Sequence, residues 1–285
     1  MRPETLSDDY QRTRARSIAD CAPLQLEDYG LQAAVFASPP KWHLAHTSWF
    51  FETFLLREFV PDYRSPNEAF EILFNSYYNG IGDQHPRQRR GLLSRPTLEE
   101  VLAYRAGVDE AMQLLLSDPG HEYAAEILAR TRLGIEHERQ HQELMYTDIK
   151  YSLAANPLLP AMQLLPASDS EDSTVPALGD TTWTHYEGGL VEIGADSQGF
   201  CFDNELPRHR VFLQEFELAN RLVTNREFQA FLDDGGYERP EYWLADGWAA
   251  VCEAQWRAPL YWLDRDEGHC EYTQYGVLPR HPDQP

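Results

Sequence analysis

The apolar rhythm of the chain changes partway along it, and that change limits the fold more than any other feature of the sequence. From Thr5 to about Tyr151 apolar residues recur at helical spacing, in long segments separated by short breaks containing Pro or Gly. Each such segment carries one apolar stripe that has to be buried against other helices. Four principal helices are expected. The first covers Leu6 to Ala22, and the second follows Pro39-Pro40 and runs from Lys41 to Glu58, with the prolines setting a sharp start. The third follows Thr97, which with Glu100 has the form of a capping box, and runs to about Ser117. The fourth starts near Pro119 and His121 and continues to about Tyr151, with a break expected at Gly134. Four helices joined by polar connections make a bundle.

Residues 152–182 hold Pro157, Pro160, Pro166 and Pro176 together with a Ser-Asp-Ser-Glu-Asp-Ser run, and no apolar period survives there. This stretch reads as a linker. Beyond it, residues 188–194 and 208–213 alternate in strand fashion between Gly, Asp, Asn and Pro breaks. One amphipathic helix follows, with Thr224 as its N-cap and Gly235-Gly236 as its stop. From Tyr237 onward Trp, Tyr, Gly and Asp occur without clear period, which predicts a loop-heavy α+β domain. The expected organisation is therefore a helical domain over 1–151, the linker 152–182, and an α+β domain over 183–285. A length of 285 residues suits two cores of this kind.

The net charge is −22, and it divides unevenly. Residues 1–150 carry 23 acidic and 16 basic side chains, a balance of −7; residues 151–285 carry 23 and 8, a balance of −15. Such a chain repels nucleic acid and anionic membrane surfaces, so neither is expected as a partner. Cys21, Cys201, Cys252 and Cys270 form no CxxC pair, which argues against a zinc ribbon or a thioredoxin-like motif and fits reduced thiols. No apolar run long enough to span a bilayer occurs, and the N-terminus lacks an apolar signal core. A cytoplasmic location is expected.

Chemistry concentrates at His137-Glu138-Arg139-Gln140-His141. On a helix, residues four apart project from one face about a turn apart, so the two imidazoles can chelate one cation. Gln140 borders the same face. A third ligand has to come from a facing helix, and the second helix offers His43 and His46. His46 shares a face with Trp42 and Trp49, which makes it the core-facing candidate; His43 is expected to lie behind the ligands or in solvent. Glu143 lies about 200° around the helix from His141 and is a poor ligand candidate. Ordinary hydrogen-bonded core histidines would show the same spacing, and three neutral imidazoles suit zinc as readily as iron.

A second concentration is His85-Pro86-Arg87-Gln88-Arg89-Arg90-Gly91, a cationic island between helices in an acidic chain. The planar fork of Arg suits carboxylates, although a solvated loop pairing with nearby acids has the same composition.

Residues 41–52, Lys-Trp-His-Leu-Ala-His-Thr-Ser-Trp-Phe-Phe-Glu, and residues 137–143, His-Glu-Arg-Gln-His-Gln-Glu, resemble the DinB-like domain of the ergothioneine-pathway sulfoxide synthases. Gly188-Gly189, residues 202–209 and Val223-Thr224-Asn225 are similar to the start of a formylglycine-generating-enzyme-like (sulfatase-modifying factor) domain. The resemblance implies a multidomain α and α+β chain: a DinB-like four-helix bundle followed by the first part of a formylglycine-generating-enzyme/C-type-lectin-like domain. It further implies non-haem iron(II) held by His46, His137 and His141, with O2 as cosubstrate. In that family hercynine and a cysteine-containing thiol are joined at C2 of the imidazole as a sulfoxide. Gln140 would face the substrate, and Arg87 and Arg90 match the Pro-Arg-x-x-Arg spacing of the thiol clamp. Whether the thiol is cysteine or γ-glutamylcysteine stays open.

The resembling family continues beyond the segment that ends here at Pro285, and its catalytic tyrosine lies in that continuation. A truncated chain is therefore expected, with the aromatics between Trp243 and Tyr275 poorly buried and little sulfoxide formed. Tyr261, Tyr272 and Tyr275 are not read as replacements. Two other readings remain: a DinB-type thiol transferase using zinc or nickel in the same bundle, and a non-catalytic lectin-like binding module.

Overall fold

A computed structural model describes residues 5–76, 80, 82–165, 179–196, 199–265 and 268–285. Two compact units are present, Met1–Gln163 and Leu164–Pro285. Part of the expected linker, residues 166–178, lies outside the described residues.

The first unit is built from long helices. Helix α1 (Leu6–Cys21) opens with a capping box in which the Thr5 hydroxyl accepts from the Asp8 N–H and the Asp8 carboxylate accepts from the Thr5 N–H. Helix α2 (Pro40–Phe51) begins on a proline in its first turn and passes through a π turn (Glu52–Leu56) into the short α3 (Arg57–Phe59). The buried Glu52 carboxylate in that turn accepts from Tyr63 Oη at 2.9 Å and Tyr104 Oη at 2.7 Å. A single-turn helix, α4 (Phe70–Phe74), follows. Helix α5 (Leu98–Leu116) starts from the Thr97/Glu100 capping box.

Helix α6 (Ala124–Ala154) starts later than Pro119 and His121 and runs past Tyr151. It is also unbroken at Gly134, contrary to the sequence expectation. The glycine serves packing: a Cβ there would lie 2.5 Å from Phe51 Cε1 and 2.9 Å from Phe50 Cε1, so only a bare Cα lets α6 approach the α2 aromatics. Alanine ordinarily favours a helix by about 1 kcal/mol over glycine. Here Gly134→Ala is expected to destabilise by roughly 1–3 kcal/mol, because overpacking outweighs propensity. Urea denaturation reads the sign directly.

Helix α2 packs between α5 and α6, and α1 packs against α6. The core between them holds Tyr10, Trp49, Phe51, Leu55, Leu56, Met112, Ile135 and Ile149, each under 2% exposed. Burying these stripes is what fixes the faces from which the α2 and α6 histidines project.

In the second unit β1 (Trp183–Tyr186) pairs antiparallel with β4 (Phe216–Ala219), and β2 (Gly189–Ile193) with β3 (His209–Leu213) in the register Val191 to Val211. Helix α7 (Asn225–Asp233) is capped by Thr224, with Glu227 completing the box, and the chain leaves it through Gly235 at φ +77°. Residues beyond Tyr237 add both helix and strand to this α+β unit. They form α8 (Ala245–Ala254) and an antiparallel sheet of β5 (Trp262–Arg265), β6 (Gly268–Thr273) and β7 (Gly276–Pro279). These strands are short and poor in β-branched residues, so cross-strand pairing and packing form them where local pattern does not. The Arg280 guanidinium lies 3.4 Å from the Trp262 ring centre, and Tyr272 is fully buried. Trp256 is exposed, whereas Trp243, Trp248 and Trp262 are half-buried. No helix among the described residues is long and apolar enough to cross a membrane.

Candidate metal centre

The structure brings His46 of α2 together with His137 and His141 of α6, with one potential ligand atom from each lying within 4.8 Å of the others. His46 is held in an aromatic stack: its ring lies 4.6 Å from Trp42 at 11° and 5.5 Å from Trp49 at 16°. The i, i+4, i+7 spacing of these residues on α2 creates that column. His46 Nδ1 lies 2.6 Å from the Phe74 carbonyl at the end of α4. A carbonyl only accepts, so Nδ1 carries the proton and Nε2 presents a lone pair. That Nε2 is 3.2 Å from His137 Nε2. His137 Nδ1 is buried with no hydrogen-bond partner among the described residues.

Burial pushes all three imidazoles below their ordinary range: His46 and His141 well below it, and His137 to about 4. At neutral pH the rings are therefore uncharged, as ligation requires. Three neutral nitrogen donors with no carboxylate among them fit a borderline divalent ion such as iron(II) or zinc. Glu143 points elsewhere and is exposed.

These histidines share a cavity of about 360 Å³ with Gln140, Arg87, Arg90, Ser38, Ser76 and Trp42. The cationic island is a 3-10 turn (Arg87–Leu92), and its members differ. Arg90 is 4% exposed, lies 3.3 Å from the Trp42 ring centre, and donates to Ser38 Oγ and Ser76 Oγ, both at 2.9 Å. Arg87 is half-buried and donates to the Phe36 carbonyl. Gln32 ties the turn down by donating to the Arg87 carbonyl at 2.9 Å and accepting from the Gly91 N–H at 2.6 Å. Gln140 is exposed at the cavity wall. A larger cavity of about 690 Å³, bounded by Phe70, Leu73, Tyr104 and Val108, contains none of the three histidines.

Two acids near the centre, Asp148 and Glu138, went unread in the sequence. His43 is buried rather than in solvent, and it bridges His141 Nδ1 at 2.8 Å and Asp148 Oδ2 at 3.0 Å. Asp148 falls seven residues after His141, two turns along the same helix face, and that spacing was the available signal. Glu138, which follows His137 directly on α6, is fully buried. It accepts from Arg14 Nη1 at 2.9 Å, Ser17 Oγ at 2.6 Å and Arg105 Nη2. Burial alone would raise this carboxyl, but Arg105 and Arg14 bring it down to about 2. No spacing rule links residues 14, 105 and 138.

Residues 9–145 match the DinB superfamily, and residues 171–280 match the sulfatase-modifying factor enzyme 1-like domain. The chain is 32% identical over 268 residues to a hercynine oxygenase of Mycolicibacterium smegmatis, covering 91% of this chain and 57% of that protein. It is 30% identical over 268 residues to a hercynine oxygenase of Mycobacterium tuberculosis, covering 91% and 58%. The chain thus spans about half the length of the curated relatives it matches. Its helical N-terminal unit is a DinB-superfamily domain, followed in the same chain by a small-sheet domain of the sulfatase-modifying factor enzyme 1-like family.

Proposed function

We propose that the chain serves a hercynine oxygenase reaction, an iron(II)- and O2-dependent sulfoxide synthesis joining a cysteine-containing thiol to C2 of the hercynine imidazole. The observation that carries this reading is the convergence of three neutral imidazoles, Gln140 and two arginines on one cavity. His46, His137 and His141 are the ligands in this reading, and bound iron would supply the redox chemistry with O2. Three protein ligands leave positions open for small molecules, and Gln140 at the wall offers a donor and an acceptor to an imidazole. The buried Arg90 sets the positive potential of the cavity, and Arg87 offers its fork to a substrate carboxylate. The similarity to hercynine oxygenases at 30–32% identity supports the same assignment.

Metal analysis of the purified chain, combined with oxygen-electrode measurements in the presence of hercynine and each of the thiols cysteine and γ-glutamylcysteine, tests it. Iron at one per chain is expected, and whatever uptake occurs should require both substrates. Zinc retention with no uptake on iron reconstitution would sink the reading and favour a DinB-type thiol transferase.

The arginines give a separate prediction. A charge-assisted hydrogen bond contributes roughly 1.5–3 kcal/mol, so Arg87→Ala should raise the thiol KM by about 10- to 100-fold while the hercynine KM stays nearly unchanged. Arg90→Ala is a less clean probe, because it also removes the guanidinium stacked on Trp42. Equal damage to both substrates in Arg87→Ala would assign the turn to folding.

A further inference from the structure

We propose that His43 and Asp148 are positioning residues that lock His141 in the one tautomer able to bind metal, an inference that rests on the reading of His46, His137 and His141 as ligands. Asp148 Oδ2 accepts from the Ser38 N–H at 2.8 Å and lies 3.0 Å from His43 Nε2. A carboxylate oxygen already receiving one donor takes a second, so His43 carries its proton on Nε2. Its Nδ1 is then a bare acceptor facing His141 Nδ1 at 2.8 Å. His141 must supply the hydrogen of that contact, which leaves its Nε2 unprotonated and directed away from His43. Each proton in the chain has one consistent place: moving the His141 proton to Nε2 sets two acceptors face to face, and moving the His43 proton to Nδ1 sets two donors face to face at His141 and two acceptors at Asp148.

The relay is built into the fold. His43 stands three residues before His46 on α2, and Asp148 stands seven after His141 on α6, so the relay braces the same two helices that bring the ligands together. His43 and Asp148 are 4% and 5% exposed, which keeps water from substituting for either partner. Ser38 joins the relay to the cationic wall, since its N–H holds Asp148 while its hydroxyl accepts from Arg90. His46 receives the equivalent service from the Phe74 carbonyl. Partners of this type fix ring orientation and raise ligand basicity, and their loss typically costs about 10- to 100-fold in metal affinity.

The test uses the whole chain and Co(II) as probe, with affinity measured by chelator competition, geometry by the visible ligand-field spectrum, and folding by the melting temperature of the metal-free protein. Wild type is expected to bind one Co(II) per chain. His43→Phe and Asp148→Ala should each lose about 10- to 100-fold in affinity with an altered spectrum. Because both act through His141, the double variant should be little worse than the poorer single one. His43→Gln, with one donor and one acceptor on the same side chain, should return to within about tenfold of wild type. Wild-type affinity and spectrum in His43→Phe and Asp148→Ala would overturn the proposal while leaving the metal centre standing. Affinity losses that merely track losses in apo melting temperature, without rescue by His43→Gln, would overturn it in favour of a packing role. Failure of the wild type to bind Co(II), Zn(II) or Fe(II) would instead remove the three-histidine reading on which it rests.

Discussion

His46→Ala, His137→Ala and His141→Ala are each expected to lose stoichiometric iron, with affinity falling by more than the roughly 100-fold that marks the upper end of outer-sphere effects. The reason is the ligand count. Three imidazole nitrogens form the group, no carboxylate belongs to it, and Glu143, the nearest acid along the α6 sequence after His141, is exposed on another face. Removing one donor leaves two, and no side chain among the described cavity residues is a carboxylate that could replace it. Anaerobic Fe(II) titration against a competing chelator measures the effect. A variant that keeps wild-type occupancy and affinity would take that residue out of the ligand set. His46→Ala also opens a gap between Trp42 and Trp49, so its apo stability should fall with its affinity, whereas the half-buried His137 and His141 should show a larger effect on metal than on folding.

Glu138→Ala is expected to be the most damaging single change to the fold, at about 3–5 kcal/mol, because it leaves buried guanidinium groups without their shared anion. Arg14 and Arg105 are 3% and 2% exposed, and they converge on Glu138 from α1 and α5. Arg14 Nε also reaches Asp109 at 2.6 Å, which Tyr10 Oη contacts at the same distance, so one charge would still be partly compensated. Arg105 has no such second carboxylate among its described partners: it donates to Thr47 Oγ1 at 3.0 Å and to the Arg14 carbonyl at 2.8 Å. Chemical denaturation at neutral pH gives the magnitude, and a loss under about 1 kcal/mol would show that the arginines are satisfied without Glu138.

The acid dependence follows from the same contacts. The Glu138 carboxyl sits at about 2 in the fold against an ordinary 4.5. Its stabilisation is therefore complete above pH 4.5 and is lost as pH falls towards 2. Wild type and Glu138→Gln should differ most at neutral pH and converge in acid. Metal binding need not change in proportion, since the hydrogen-bond partners of Glu138 are Arg14, Ser17 and Arg105 and none is a ligand, and comparing the two readouts separates the brace from the centre.

Sequence periodicity alone determined the helical class of the first unit, the placement of α1, α2 and α5, and the start of α7, because caps and apolar stripes are local properties. The i, i+4 histidines needed only a helix to face one way. What remained was decided by contacts between segments distant in the chain. Gly134 reads locally as a helix breaker, and only the approach of Phe50 and Phe51 shows why α6 passes straight through it. The β5–β7 sheet has too little local pattern to announce itself, since its strands exist through their pairing. Arg87 and Arg90 share a motif, yet packing buries one over Trp42 and leaves the other half-open at the cavity. His43 and Asp148, 105 residues apart, meet because α2 and α6 bury their apolar faces together. A period in sequence fixes which face of an element is buried; which partner that face meets depends on how whole elements pack, and the tautomers and charges of the centre follow from that packing.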